Sequence, residues 1–260
     1  MNTLAPKLIL TPLLVASTSI AGRRWGAAFS GWLIALPLTS GPIAFFIALE
    51  LGPRAATEAA AGSLQGAIGQ VAFCVVYVRA SRQVGWRASL ALAAVAFAVV
   101  GILFPPLPAP VLFAGLLAAI AGGLWLTREV PSATLAVSVT PSWDIPGRVV
   151  VATVLVLAIS TAAPLIGGRA SGILATFPVY GAVLATFAHQ LRSSANAAAI
   201  LRGLMTGLLG FATFFLLLGF LLERTDIGVA FVSATIAALA VQAVTLPLML
   251  GQEGPARPPA

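Results

Sequence analysis

Charge is what this chain has least of. Only 8% of its 260 residues are Asp, Glu, Lys or Arg, while 60% are apolar, and the mean hydropathy is +1.04. A soluble domain carries about 25% charged residues, so a globule of this composition would lack the polar surface to stay in water. The chain reads as an all-α, polytopic integral membrane protein with the lipid bilayer as its solvent. The ~10-residue alternation of a membrane β-barrel is missing. Cysteine and histidine are reduced to one each, Cys74 and His189. One cysteine excludes an internal disulfide, and the pair is too few for a structural metal cluster. Acidic residues number 7 against 14 Lys plus Arg, yet no basic run exceeds Arg23-Arg24. Nucleic-acid binding needs clustered positive charge, so the high isoelectric point does not point to that partner. No His-Glu-x-x-His, phosphate-binding loop or Gly-x-Ser-x-Gly occurs, which argues against an enzyme and against a bound cofactor or metal.

What the chain has is apolar runs punctuated by Gly, Pro and Arg. They predict nine membrane spans, at about 8–22, 26–49, 59–78, 88–104, 110–127, 149–166, 169–190, 196–222 and 227–249, each near the ~20 residues that cross hydrocarbon. Lys7 and the small residues Ser19-Ile20-Ala21 imitate a signal peptide, but Arg23-Arg24 follow on the wrong flank. With nine spans, Lys7, Arg54, Arg169 and Arg224 fall on the N-terminal side and the other 10 of the 14 basic residues on the opposite side. The positive-inside rule then places the N-terminus outside and the C-terminus in the cytoplasm, as expected for a bacterial inner-membrane protein.

The chain also repeats itself. Residues 6–74 laid on 147–215 without a gap give 16 identities in 69 pairs, where this composition would give roughly 7 by chance. Ser30-Gly31-x-Leu33-x-x-x-Pro37 falls on Ser171-Gly172-x-Leu174-x-x-x-Pro178, Gly26 on Gly167, and Gly62, Gly66 and Gly69 on Gly203, Gly207 and Gly210. Repeated Gly and Pro encode backbone shape. Each repeat holds four spans, an even number, and the unpaired span 110–127 lies between them, so the second repeat enters the membrane inverted. The predicted organisation is repeat one at 1–105, a linker span and cytoplasmic loop at 106–145, repeat two at 146–250 and a disordered tail at 251–260.

The second span of each repeat is interrupted, by Leu36-Pro37-Leu38-Thr39-Ser40-Gly41-Pro42 in copy one and Thr176-Phe177-Pro178-Val179-Tyr180-Gly181 in copy two. Proline frees backbone carbonyls, and free carbonyls at bilayer depth must be buried in protein or line a wet cavity. Pro37, Thr39, Ser40, Thr176, Pro178 and Tyr180 are therefore the candidate substrate-binding residues. Gln65 and Thr206, repeat equivalents on the glycine-rich third spans, join them if those spans pack against the breaks. Glu50 and His189, each at the closing end of its broken span and so at opposite mouths of the predicted inverted pair, are candidate gating or proton-handling groups.

The second repeat, over about 168–222, resembles the GlpM-like family of small bacterial inner-membrane proteins. Ser171-Gly172-Ile173-Leu174 leading to Phe177-Pro178, then Leu201-Arg202-Gly203 and Gly207, carry the resemblance. Copy one departs from it, with Leu36 in place of the phenylalanine before Pro37. The resemblance implies inner-membrane residence, an internally duplicated relative of a four-span unit, and a link to exopolysaccharide production.

Two functions follow as expectations. One is a small secondary transporter or permease whose repeats rock about a midplane site, with a small molecule or ion as cargo. The other is a non-transporting membrane subunit or scaffold of an envelope or exopolysaccharide machinery. A second copy of the chain or another membrane protein is the candidate partner.

Overall fold

Two glycines with left-handed backbone make the first corners. Gly26 (φ 94°) stands alone between α1, Leu4–Trp25, and α2, Ala27–Ile34. Gly52 (φ 89°) precedes α4, Pro53–Ala80, whose first residue is a proline with no amide to leave unpaired. Between them α2 stops at Ile34 and the chain resumes as α3, Ser40–Glu50, so the second predicted span is broken at Pro37. Pro42 lies in the first turn of α3, where proline is tolerated. The remaining helices are α5 (Trp86–Leu103), α6 (Ala109–Leu126), α7 (Asp144–Ala162), α8 (Val179–Leu191), α9 (Ser194–Leu221) and α10 (Ile227–Leu250).

The computed structural model describes residues 4–38, 40–103, 105, 107–129, 141–162 and 176–250, and every regular element among them is helical. Thr39, the 163–175 segment with Gly167, Ser171, Gly172 and Leu174, and the 251–260 tail lie outside the described residues. Four helices are long and apolar enough to cross a membrane: Pro53–Ala80, Ala109–Leu126, Ser194–Leu221 and Ile227–Pro247. They are compatible with an integral membrane protein. Large apolar side chains such as Leu13, Val95, Val154 and Ile236 stand exposed on the outer helix faces, a liability in water and the expected surface in lipid.

Helix bounds follow the 141-residue offset of the sequence repeat. Ser194–Leu221 lies 141 residues beyond Pro53–Ala80 at both ends, Ile227 the same distance beyond Trp86, and Leu191 beyond Glu50. The caps at one such pair differ. Gly52 turns the chain by positive φ, whereas Ser193 has an extended backbone and accepts the Asn196 amide on its Oγ at 3.2 Å.

α9 is the hub, packed against α2, α4, α6, α8 and α10. It lies closest to α2. A Cβ on Gly203 would overlap the Ala28 carbonyl, and one on Gly31 the Ile200 carbonyl, so two backbones touch with no side chain between them. α4 and α9 run antiparallel: Gly219 meets Ala60 near one end, while Met205, Val71 and Val75 converge on Gly123 of α6 further along. α1 and α7 are antiparallel too. Val15 and Ala152 share a buried cluster, and Arg23 in the last turn of α1 bonds Asp144 at the start of α7 at 3.1 Å.

That last contact gathers charge at one end of the bundle. The Asp144 side chain is 0% exposed and also accepts from Arg148 Nε at 2.7 Å and NH2 at 3.2 Å. At the same end Arg79 donates to the Leu126 carbonyl and Arg202 to the Leu124 carbonyl and Thr127 Oγ1. Both guanidinium groups thus satisfy orphan carbonyls at the negative end of the α6 dipole.

Candidate functional site

The break after α2 and the non-helical residues 176–178 before α8, here called break two although residues 163–175 ahead of it lie outside the described ones, face the two glycine-rich helices in exchanged fashion. Break two sits on α4: a Cβ on Gly66 would overlap the Thr176 side chain. Break one sits on α9: a Cβ on Gly207 would lie 2.6 Å from both Ala35 Cβ and the Trp32 carbonyl oxygen. Gly207 is the repeat equivalent of Gly66, and Thr176 of Ala35, each 141 residues apart. The same contact is therefore made twice with the repeats swapped. Of the six repeated glycines on α4 and α9, Gly62 departs from the close-packing expectation, because its α-carbon faces open space.

Around break two, Gln70 Nε2 donates to the Thr176 carbonyl at 3.2 Å, supplying one partner to backbone outside a helix. Phe177 is held edge-on by Phe73 at 5.6 Å and Phe97 at 5.4 Å. Pro178 is buried and precedes α8, so its missing amide falls where a helix has no internal acceptor for one. Tyr180 shares a 3.1 Å hydrogen bond with Thr11 of α1. Around break one, the Pro37 carbonyl accepts from the Gly41 amide at 2.8 Å, and Gly41 lies beside the Phe214 ring. A buried polar chain runs next to it: Trp32 Nε1 donates to Thr245 Oγ1 at 2.9 Å, Thr245 Oγ1 to the Gln242 carbonyl at 3.0 Å, and Gln242 Nε2 to the Gly207 carbonyl at 3.1 Å.

The expected site residues thus fall in different settings. Pro37 and Ser40 are half-buried at break one, and Thr176, Pro178 and Tyr180 surround break two. Thr39 lies outside the described residues. Gln65 is half-buried on α4, one residue before Gly66. Thr206 is buried and turns its hydroxyl back to the Arg202 carbonyl of its own helix at 3.1 Å. Glu50 ends α3 exposed to solvent, whereas His189 is half-buried with its Nδ1 3.4 Å from the Tyr77 hydroxyl.

Sequence reasoning offers Gln70 as a further polar candidate on α4 without a repeat equivalent, and the structure gives it the Thr176 carbonyl as partner. Sequence reasoning did not single out Trp32, or Gln242 and Thr245, which lie in an otherwise apolar run. It also assigned Asp144 to a polar loop. The available signal was Asp144-x-x-x-Arg148, an acid one helical turn before a base. No family model, curated protein or solved structure matches the chain.

Proposed function

We propose that the chain is a small secondary transporter of the bacterial inner membrane, with nine spans arranged as two inverted four-span repeats joined by α6. The repeats rock against each other and expose a midplane site at the two breaks first to one side and then to the other. The observation that carries this reading is the exchanged pair of contacts, Gly66 with Thr176 and Gly207 with Ala35. Two copies related by a two-fold axis place each break on the other copy's glycine helix, and a glycine surface without side chains lets such a joint slide. The antiparallel course of α1 against α7 and of α4 against α9 supports the inversion. The clustering of Arg23, Arg79, Arg148, Arg192 and Arg202 at one end supports a cytoplasmic assignment for that end. The resemblance to the GlpM-like family agrees with inner-membrane residence.

A second reading, a non-transporting subunit of an envelope or exopolysaccharide machinery, is favoured by one observation: Phe177 is wedged between Phe73 and Phe97 rather than facing open space.

Two thiol-accessibility measurements separate these readings, both in a Cys74→Ala background. Arg82 and Glu223 are exposed repeat equivalents in the α4–α5 and α9–α10 turns. With an impermeant reagent on intact cells, Glu223→Cys labels and Arg82→Cys does not; equal behaviour of the two defeats the inversion. For transport, Ser40→Cys reacts from both faces in right-side-out and inside-out vesicles. Reaction from neither face favours the subunit.

A further inference from the structure

One cavity belongs to neither break. It holds about 20 Å³, room for about one water, and lies at the arginine-rich end between α1, α2, α7, α8 and α9. Its lining carries three guanidinium groups, Arg23, Arg148 and Arg192, with Ser19 and Asn196 beside them, and no acidic residue among the described ones. Asp144 stands behind the wall and holds Arg23 and Arg148 in place. The described cluster therefore carries three positive charges against one negative, a surplus of two. Packing like charges around one space costs free energy unless a counter-charge enters.

Two donors in this wall are already desolvated and unused. Ser19 is 4% exposed and its Oγ has no partner among the described residues. The Nε of Arg192 is likewise buried without a partner among the described residues. Buried donors are normally satisfied, and an orphan asks for an unseen acceptor. Here two orphans and a two-charge surplus share one cavity, so the missing group is both an acceptor and an anion. Guanidinium groups match oxyanions rather than compact ions; with Arg148 Nε and Nη2 and one Arg23 nitrogen already held by Asp144, the Arg192 Nε, the Ser19 hydroxyl and the guanidinium nitrogens that Asp144 leaves over suit a tetrahedral oxyanion.

We propose that this cavity binds a phosphate group, carried by a soluble solute or by a lipid headgroup. Arg23 sits at its mouth, with a side chain 38% exposed, so a group larger than water enters by displacing Arg23 from its 3.1 Å bond to Asp144. The neighbouring outer surface is apolar, with Ile20 and Val151 exposed, so an acyl chain could run along it from a bound headgroup. The proposal does not depend on transport, because binding is read without flux.

The test uses the full chain purified in neutral detergent, with thermal unfolding followed at constant ionic strength. Inorganic phosphate is titrated against chloride, and phosphatidylglycerol is compared with phosphatidylcholine in nanodiscs. A melting temperature that climbs with phosphate and saturates identifies a soluble oxyanion. A rise with phosphatidylglycerol alone identifies the headgroup. Either response should vanish in Arg192→Gln, which relieves like-charge crowding and so should fold. It should weaken about tenfold or more in affinity in Ser19→Ala, which removes one hydrogen bond to a charged group, and persist in Arg82→Gln. No response to either probe, or a response undiminished in both Arg192→Gln and Ser19→Ala, overturns the assignment.

Discussion

Asp144→Asn tests how the helix ends are tied, because it removes a charge while keeping shape. The Asp144 carboxylate is fully enclosed, accepts two bonds from Arg148 and one from Arg23, and joins the start of α7 to the end of α1. Its two partners are not equivalent. The Arg148 side chain is 8% exposed, so without the carboxylate its charge is stranded in a poorly solvated site. Breaking a buried pair in this way costs about 3–5 kcal/mol. The Arg23 side chain is 38% exposed and water can replace the carboxylate; Arg23→Gln should cost about 1 kcal/mol or less. Removing both members of the buried pair, as Asp144→Leu with Arg148→Met, deletes the desolvation cost along with the attraction. It should recover most of the single-variant loss. The assay is reversible unfolding from mixed micelles by titrated SDS, followed by the fluorescence of Trp25 and Trp143, which sit near the joint. A loss below about 1 kcal/mol for Asp144→Asn, or equal losses for Asp144→Asn and Arg23→Gln, would refute the idea that burial rather than bond count sets the cost.

Two further outcomes are expected in the same titration. Gly66→Ala should destabilise by about 1–3 kcal/mol through overpacking. Adding Thr176→Gly should restore most of it, because the three nearest neighbours of the new Cβ are Thr176 side-chain atoms; Gly203→Ala meets the Ala28 backbone instead and should find no such rescue. Arg202→Leu should cost about 1–3 kcal/mol by stripping the Leu124 carbonyl and Thr127 of a charged donor. Arg79→Gln, whose one bond to Leu126 is exposed, should lie within experimental error.

Legibility followed the kind of signal each element carries. Pro37 between two apolar runs forecast the interruption between α2 and α3, because proline acts through its own ring and missing amide whatever surrounds it. The glycine spacing forecast close approach of a neighbouring segment at Gly66 and Gly207 but failed at Gly62, since spacing selects a helix face and says nothing of how far a partner extends along it. Boundaries slipped where capping overruled hydropathy. α4 starts at Pro53 rather than 59, because Gly52 and Pro53 begin a helix ahead of its apolar stretch, and α7 starts at Asp144 rather than 149, with Pro146 accommodated in the first turn. Partnerships were harder still. Gln70 and Thr176 are 106 residues apart, and Trp32 and Thr245 are 213 apart; nothing local to one residue encodes the other.

The contacts divide by symmetry, and the division bears on how such a chain could work. What the two halves share is steric: glycines, prolines and the helix bounds that recur at one offset. Several of the polar groups that bond across the structure are not shared. Asp144 has Thr3 at the matching position of the first repeat, Gln70 has Phe211, Tyr180 has Thr39, and Gln242 has Gly101. A duplicated scaffold with like-for-like packing lets either half take either role in a rocking motion, since the two end states are then close in energy. Asymmetric polar groups are what would make those states differ in what they bind. The arginine cavity lies wholly at one end, whereas the α3–α4 corner, at the far end of α4 from Arg79, carries Glu50 and the exposed Arg54–Glu58 pair. A chain whose halves matched in charge as well as in shape would have no reason to prefer one direction. The site to test for ligand selectivity is therefore where the repeat relation fails.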